Sequence, residues 1–211
     1  GAEGGRDCER RTVEQQRMAV GRRARDRLGR DHAVGAGAVL GRDRLAELFQ
    51  EPMRLAPHLH APLQSGSDRV LRRMGRHWYT ARRYAEAIEA LAATLPVFGL
   101  GADVIAGFPG ETDEDHAATL SLLASLPFTY LHVFPFSSRP GTAAEKLSGT
   151  LAPDVVQGRA RELRALAESK GRAHRTRRVG SVADLIVVRN DIREGMTEDY
   201  LSVSIADPPP P

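Results

Sequence analysis

The chain has 211 residues, 41% of them hydrophobic, a formal net charge of +3 and one cysteine, which is enough apolar material to bury a core in one domain or slightly more. A single thiol, Cys8, excludes an internal disulfide and any metal or cluster site built from several thiolates of this chain. No run approaches the roughly 18 apolar residues of a membrane span and no secretory apolar core opens the sequence, so a cytoplasmic protein without a membrane partner is expected.

Of the 30 basic residues, only Lys146 and Lys170 are lysines. Arginine's planar fork matches phosphate, which admits a nucleic-acid partner; an arginine-biased composition explains the same excess without one. Residues 1–43, including GGRDCERRTVEQQRMAVGRRARDRLGRDH, show little apolar periodicity. They read as an atypical, disordered or loosely helical segment, with a basic arm touching RNA as the functional alternative.

From residue 44 to 178 strand and helix signals alternate. HLHAPLQ (58–64) reads as a short strand, and Ser67 is placed to cap the helix DRVLRRM, which Gly75 ends. Thr80 caps a longer helix with Tyr84, Ile88, Leu91 and Leu95 on one face before Pro96. LGADVIAG (100–107) is the next strand, and Thr112 caps a helix whose first turn carries Asp113, Glu114 and Asp115, the acids a helix N-terminus favours. YLHVFPF (130–136) is a third strand, and Pro153 opens a helix expected to end near Arg172. Residues 179–211 hold two β-rich runs, VADLIVVRN and EDYLSVSIAD, separated by DIREGMT, and read as a small β-domain cut short. Strand and helix alternating at short spacing predicts an α/β fold with parallel strands, part of a barrel or an open sheet.

In such folds ligands sit at the carboxyl ends of the strands. The three strands lead into Gln64-Ser65-Gly66-Ser67, Gly107-Phe108-Pro109-Gly110-Glu111 and Ser137-Ser138-Arg139-Pro140-Gly141, expected to form one polar rim. Gly107 and Gly110 would let backbone approach a flat ligand or an anion, or would serve only a tight strand-to-helix turn. Asp103, between apolar neighbours, is expected to hydrogen-bond to a neighbouring loop. His58, His60 and His132 alternate on strands, but no third ligand is spaced to complete a metal site, and none is assigned. Arg72, Arg73, Arg76, Arg82 and Arg83, with Trp78 and Tyr79 between them, form either a solvated helix face or an RNA-contacting patch, and Arg139 joins them on the rim.

The strings HLHAPLQSGSDRVLRRMGRHWYTARRY, GADVIAGFPGETDEDHAATL and HVFPFSSRPGTAA, in this order, resemble the later half of the radical S-adenosylmethionine (SAM) barrel of tRNA methylthiotransferases. HVFPFSSRPGT is most similar to the threonylcarbamoyladenosine branch, and VADLIVVRNDIREGMTEDYLSVSI to the start of the small TRAM domain that holds tRNA. The resemblance implies a fragment of an enzyme that adds a methylthio group to C2 of N6-threonylcarbamoyladenosine beside the tRNA anticodon, with SAM and [4Fe-4S] clusters as cofactors. Another tRNA adenosine, in the isopentenyladenosine branch, or a non-catalytic RNA-binding remnant are the alternatives. It further implies that Val104, Ile105, Gly107 and Glu111 line the adenine of SAM, that Gln64 and Ser65 lie near its ribose and methionine portions, and that Val133 and Phe134 contribute on the adenine side. The family's three cluster cysteines have no counterpart in this chain, so it is expected to be inactive alone.

Overall fold

The computed structural model describes residues 56–187 and 194–205, together with Glu47 and Phe49; the segment 1–43 lies outside the described residues. Three strands, β1 (His58–His60), β2 (Gly99–Ala106) and β3 (Tyr130–Pro135), form a sheet in the order β1-β2-β3. Both pairings are parallel, with His60 opposite Gly101 and Asp103 opposite His132. Between them run α1 (Asp68–Arg73) and α2 (Ala81–Ala92) after β1, α3 (Asp113–Ser125) after β2, and α4 (Pro153–Arg178) after β3.

The helices begin where short polar side chains can satisfy free amides. Ser67, Thr80 and Thr112 each accept from a backbone N–H in the first turn that follows, and Thr112 completes a capping box with Asp115. The β2 sequence alternates by face: Leu100, Ala102, Val104 and Ala106 are fully buried and join a core with Leu63, Tyr84, Ile88, Leu91, Leu123 and Leu163. Residues of the other parity, Asp103 and Ile105 on β2 and Tyr130, His132 and Phe134 on β3, are not buried and lie on the opposite, open face. Tyr84 sits wholly within the core and donates its hydroxyl to the Ala61 carbonyl at 2.5 Å. This α/β arrangement, one face of a parallel sheet covered by helices and the other open, is part of a (βα) barrel wall.

Several boundaries differ from the sequence reading: β1 ends at His60, with Gln64 only an isolated bridge, and α2 ends at Ala92 before reaching Leu95. The last helix continues to Arg178 instead of stopping near Arg172. The C-terminal unit has three antiparallel strands, β4 (Leu185–Val187), β5 (Glu194–Thr197) and β6 (Ser202–Ser204), so the stretch EGMT, expected in a connecting loop, is the central strand. The extra turn of α4 has a partner: buried His174 meets the Asp199 carboxylate at 2.8 Å, and Arg178 reaches Asp199 at 3.1 Å and Glu198 at 2.6 Å. The same turn brings Tyr200 onto His58, rings stacked 4.2 Å apart, and the Asp199 backbone against Gly99. The small β-unit therefore docks at the amino-terminal ends of β1 and β2. Among the described residues no helix is long and apolar enough to cross a membrane.

Candidate functional site

The carboxyl ends of the three strands converge. Beyond β1 the chain stays beside β2: Gln64 forms a parallel bridge with Val104, Leu63 and Gln64 both donate to the Asp103 carbonyl, and Ile105 donates to the Gln64 carbonyl at 2.9 Å. On the other side Phe136 donates to the Ala106 carbonyl at 2.8 Å. Gln64, Gly107 and Phe136 thus finish side by side at one mouth. Gln64 takes a positive φ of 72°, an unusual backbone conformation for a side-chain-bearing residue that persists only where the surrounding structure over-determines it; Tyr200 shares it at φ 71°.

The rim loops are largely engaged with the protein itself. Gly107 (φ 76°) has the Val156 side chain of α4 where a Cβ would stand, at 2.7 Å, and Gly110 (φ 81°) has the Arg73 guanidinium at 2.8 Å. The close approach that these glycines permit is made by α4 and by Arg73. Glu111 turns inward: its carboxylate accepts from the Gly107 N–H at 2.5 Å and faces Arg159 at 3.4 Å. Burial pushes the Glu111 pKa up, with the Arg159 charge and the Gly107 amide opposing it. Ser65 is buried, its Oγ accepting from Ser67 N–H and lying 3.4 Å from Thr119 Oγ1.

Asp115 joins two of these loops. It accepts from Ser67 Oγ at 2.6 Å, from the Thr112 N–H at 2.8 Å and from Arg69 through two nitrogens. Burial would raise its pKa, but the donors from Arg69, Ser67 and Thr112 outweigh that and hold the carboxyl far below the usual carboxylate range. Arg69 also donates to the Gly110 carbonyl, a brace that the sequence reading did not single out.

Of the residues expected around SAM, Ile105 and Phe134 have side chains toward the open face; they are adjacent in register, with Phe134 51% exposed. Beside them Phe108 and Phe136 meet edge to face at 5.3 Å. Val104 points the other way into the core, so only its backbone faces the mouth, and Val133 packs against the core as well. The expected arginine group divides. Arg73 is a structural tie, donating to the Pro109 carbonyl at 2.7 Å and to the Ser148 carbonyl. Arg82 pairs with Glu86 on its own helix, and Arg76 lies 5.9 Å above the Trp78 ring. Arg72, Arg83 and Arg139 are exposed.

Further down the open face, the histidines do find a companion. The Asp103 carboxylate turns to strand residues and not to a loop: its Oδ1 lies 2.9 Å from His60 Nε2 and 3.3 Å from His132 Nδ1. The third group that the sequence reading lacked comes from the strand between the two histidines, while His58 instead meets the Tyr130 hydroxyl at 2.8 Å. No cysteine occurs among the described residues, so their donor set does not fit an iron–sulfur cluster held by thiolates.

Residues 6–123 match the family model described as the Radical SAM superfamily; that match begins inside the segment that reads as atypical. Among curated proteins, the chain is 41% identical over 152 residues to a tRNA-2-methylthio-N(6)-dimethylallyladenosine synthase of Mycobacterium bovis, covering 72% of the chain and 30% of the relative. It is 35% identical over 159 residues to the threonylcarbamoyladenosine tRNA methylthiotransferase MtaB of Aquifex aeolicus, covering 75% and 38%. It is 40% identical over 154 residues to MtaB of Treponema pallidum, covering 73% and 32%. The chain therefore spans about a third of the length of the curated relatives it matches.

Proposed function

The chain belongs to the radical SAM superfamily, and from that premise we propose that it is the later half of the barrel of a tRNA methylthiotransferase. The observation that carries the reading is the common mouth: Gln64, Gly107 and Phe136 end together above an open face on which Ile105 is partly buried and Phe134 exposed. A flat heterocycle suits that apolar step at the ends of parallel strands. In this reading Ile105 and Phe134 flank the adenine of SAM, while Val104, Gly107 and Val133 contribute backbone and shape. Glu111 holds the turn, and Gln64 and Ser65 border the ribose and methionine portions. The small β-unit acts as a TRAM-like tRNA-holding module, and exposed Arg72, Arg83 and Arg139 meet phosphate.

The proposed reaction of the whole enzyme adds a methylthio group to C2 of N6-threonylcarbamoyladenosine beside the anticodon. The Mycobacterium bovis relative, named for dimethylallyladenosine, favours the second reading, in which the neighbouring N6 group is dimethylallyl. Clusters would supply the electron that cleaves SAM. With Cys8 as its one thiolate, the chain does not fit that role, and we expect the 211 residues alone to bind no cluster and to leave SAM intact. Anaerobic reconstitution with iron and sulfide that yields a cluster absorption band and 5′-deoxyadenosine overturns that expectation.

Binding tests the remainder. Equilibrium dialysis should detect SAM bound to the chain and weakened by Phe134→Ser, and filter binding should detect tRNA anticodon stem-loops. Preference for the threonylcarbamoyl stem-loop supports the first reading and preference for the dimethylallyl one the second. Failure to bind either RNA or SAM refutes both.

A further inference from the structure

We propose that His60, Asp103 and His132 form a binding site for a divalent transition metal on the open face of the sheet, below the mouth. The three residues come from β1, β2 and β3, adjacent strands of one sheet, and each offers one ligand atom, all lying within 4.8 Å of one another. Asp103 Oδ1 is 2.9 Å from His60 Nε2 and 3.3 Å from His132 Nδ1, and the two imidazole rings are 5.1 Å apart. Ligands about 2.1 Å from a common ion stand roughly 3–4 Å apart, so small side-chain movements suffice to admit one.

The donor set selects the class of ion. Two imidazoles and one carboxylate suit Zn²⁺, Co²⁺ or Fe²⁺, whereas Ca²⁺ and Mg²⁺ favour all-oxygen shells. The ligands project from strands, whose register is fixed by the ladder that pairs Asp103 with His132, so little ordering remains to be done on binding. An outer partner is also present: the Tyr130 hydroxyl lies 3.1 Å from His60 Nδ1, the ring nitrogen turned away from Asp103. A hydrogen bond at that nitrogen fixes which nitrogen of a ligating histidine faces the ion. The ligands occupy one side of the ion and leave the other open, the arrangement of a site that retains water or takes a further ligand. Asp103 lies four residues before Gly107, roughly 13 Å along the strand, so the site sits below the mouth, with the His132 ring 6.4 Å from that of Phe134. The inference does not depend on the reaction proposed above.

The rival description is a carboxylate hydrogen-bonded to His60 and close to His132 with no ion between them, and one titration decides. The full 211-residue chain, stripped with chelator and dialysed, is titrated with Co²⁺ and then with Zn²⁺. The proposal expects one equivalent of Co²⁺, visible d–d absorption that saturates, and its loss when Zn²⁺ displaces the ion. His132→Ala should weaken Co²⁺ binding at least tenfold, as should Asp103→Asn. Tyr130→Phe should weaken it by about tenfold through the outer hydrogen bond. His77→Ala, at an exposed histidine far from the cluster in sequence, should leave it unchanged. His132 is half-exposed, so its removal does not threaten folding, and far-UV circular dichroism checks each variant. Absence of saturable binding in the unsubstituted chain, or a Co²⁺ band that survives His132→Ala and Asp103→Asn, overturns the site and leaves the hydrogen-bonded triad.

Discussion

Asp115→Ala removes a side chain that ties the loop after β1 to the start of α3. The carboxylate completes the Thr112 capping box, and losing a cap of this kind costs about 1 kcal/mol. It also accepts from Ser67 Oγ and from Arg69; the first is buried, whereas Arg69 is half-exposed and its contribution is screened by water. Together these bonds add roughly 1–2 kcal/mol, giving a total of about 2–3 kcal/mol. For a domain of this size each kcal/mol lowers Tm by about 2–4 °C, so a drop of roughly 5–10 °C is expected in a thermal melt. Acid dependence provides an independent check. The folded carboxyl titrates far below its ordinary value of 3.8, so its stabilisation is present above that value and is lost as pH falls through it toward the folded value. Urea midpoints measured from pH 6 to pH 3 should therefore fall less steeply in Asp115→Asn than in the parent. A Tm change under 2 °C in Asp115→Ala, or parallel acid limbs for the parent and Asp115→Asn, would refute the assignment of Asp115 as the brace of the rim.

Gly107→Ala places a methyl group 2.7 Å from the Val156 side chain at φ 76° and should destabilise by about 2–4 kcal/mol, combining left-handed strain with overpacking. Gly75→Ala, at the same φ with nothing within 4 Å, should cost only about 1–2 kcal/mol; equal losses in chemical denaturation would show that packing at Gly107 is irrelevant. Burial lowers the His174 pKa, against the pull of Asp199, so the unfolded chain takes up a proton near its ordinary 6.5 before the folded chain does. Stability should be full above that value and decline as pH drops through it, and the urea midpoint at pH 5.5 should lie below that at pH 7.5 by more in the parent than in His174→Gln. On the tRNA reading, replacing Arg72 and Arg83 together by Glu should weaken filter-bound tRNA uniformly and flatten the salt dependence by about one to two units of log–log slope. An unchanged slope would place the phosphate contacts elsewhere.

Local signals carried much of the fold. Ser67, Thr80 and Thr112 each stood just before an apolar-periodic run, and each side chain accepts from the first turn as a cap should. The parallel order followed from helices lying between strands, and the shared mouth followed from that order. What escaped the sequence depends on partners distant in the chain. The last helix is expected from sequence to end near Arg172, yet Gly171 lies against the Thr129 carbonyl and His174, three residues after it, is buried against Asp199. EGMT has little strand propensity; Gly195 lies beneath the Leu185 side chain, and pairing on both sides makes the strand. The His60–Asp103–His132 cluster was half legible, because alternation placed the histidines on strand faces. Which strand would put a carboxylate between them is a matter of register, and residue spacing does not encode it.

The glycines of the rim look alike in sequence whether they admit a ligand or a neighbouring segment, and the structure separates these roles by what stands beside them. At Gly107 and Gly110 the neighbours are Val156 and Arg73, so recognition at the mouth has to come from groups not already consumed in holding the loops, the side chains of Ile105 and Phe134. At the opposite end, the turn carrying Asp199 and Tyr200 meets Gly99 and His58, the first residues of β2 and β1. A substitution at Tyr200 and one at Phe134 therefore act on opposite ends of the same open face. Lower binding of a planar ligand after Phe134→Ser, with Tyr200→Ala leaving it intact, follows from that placement.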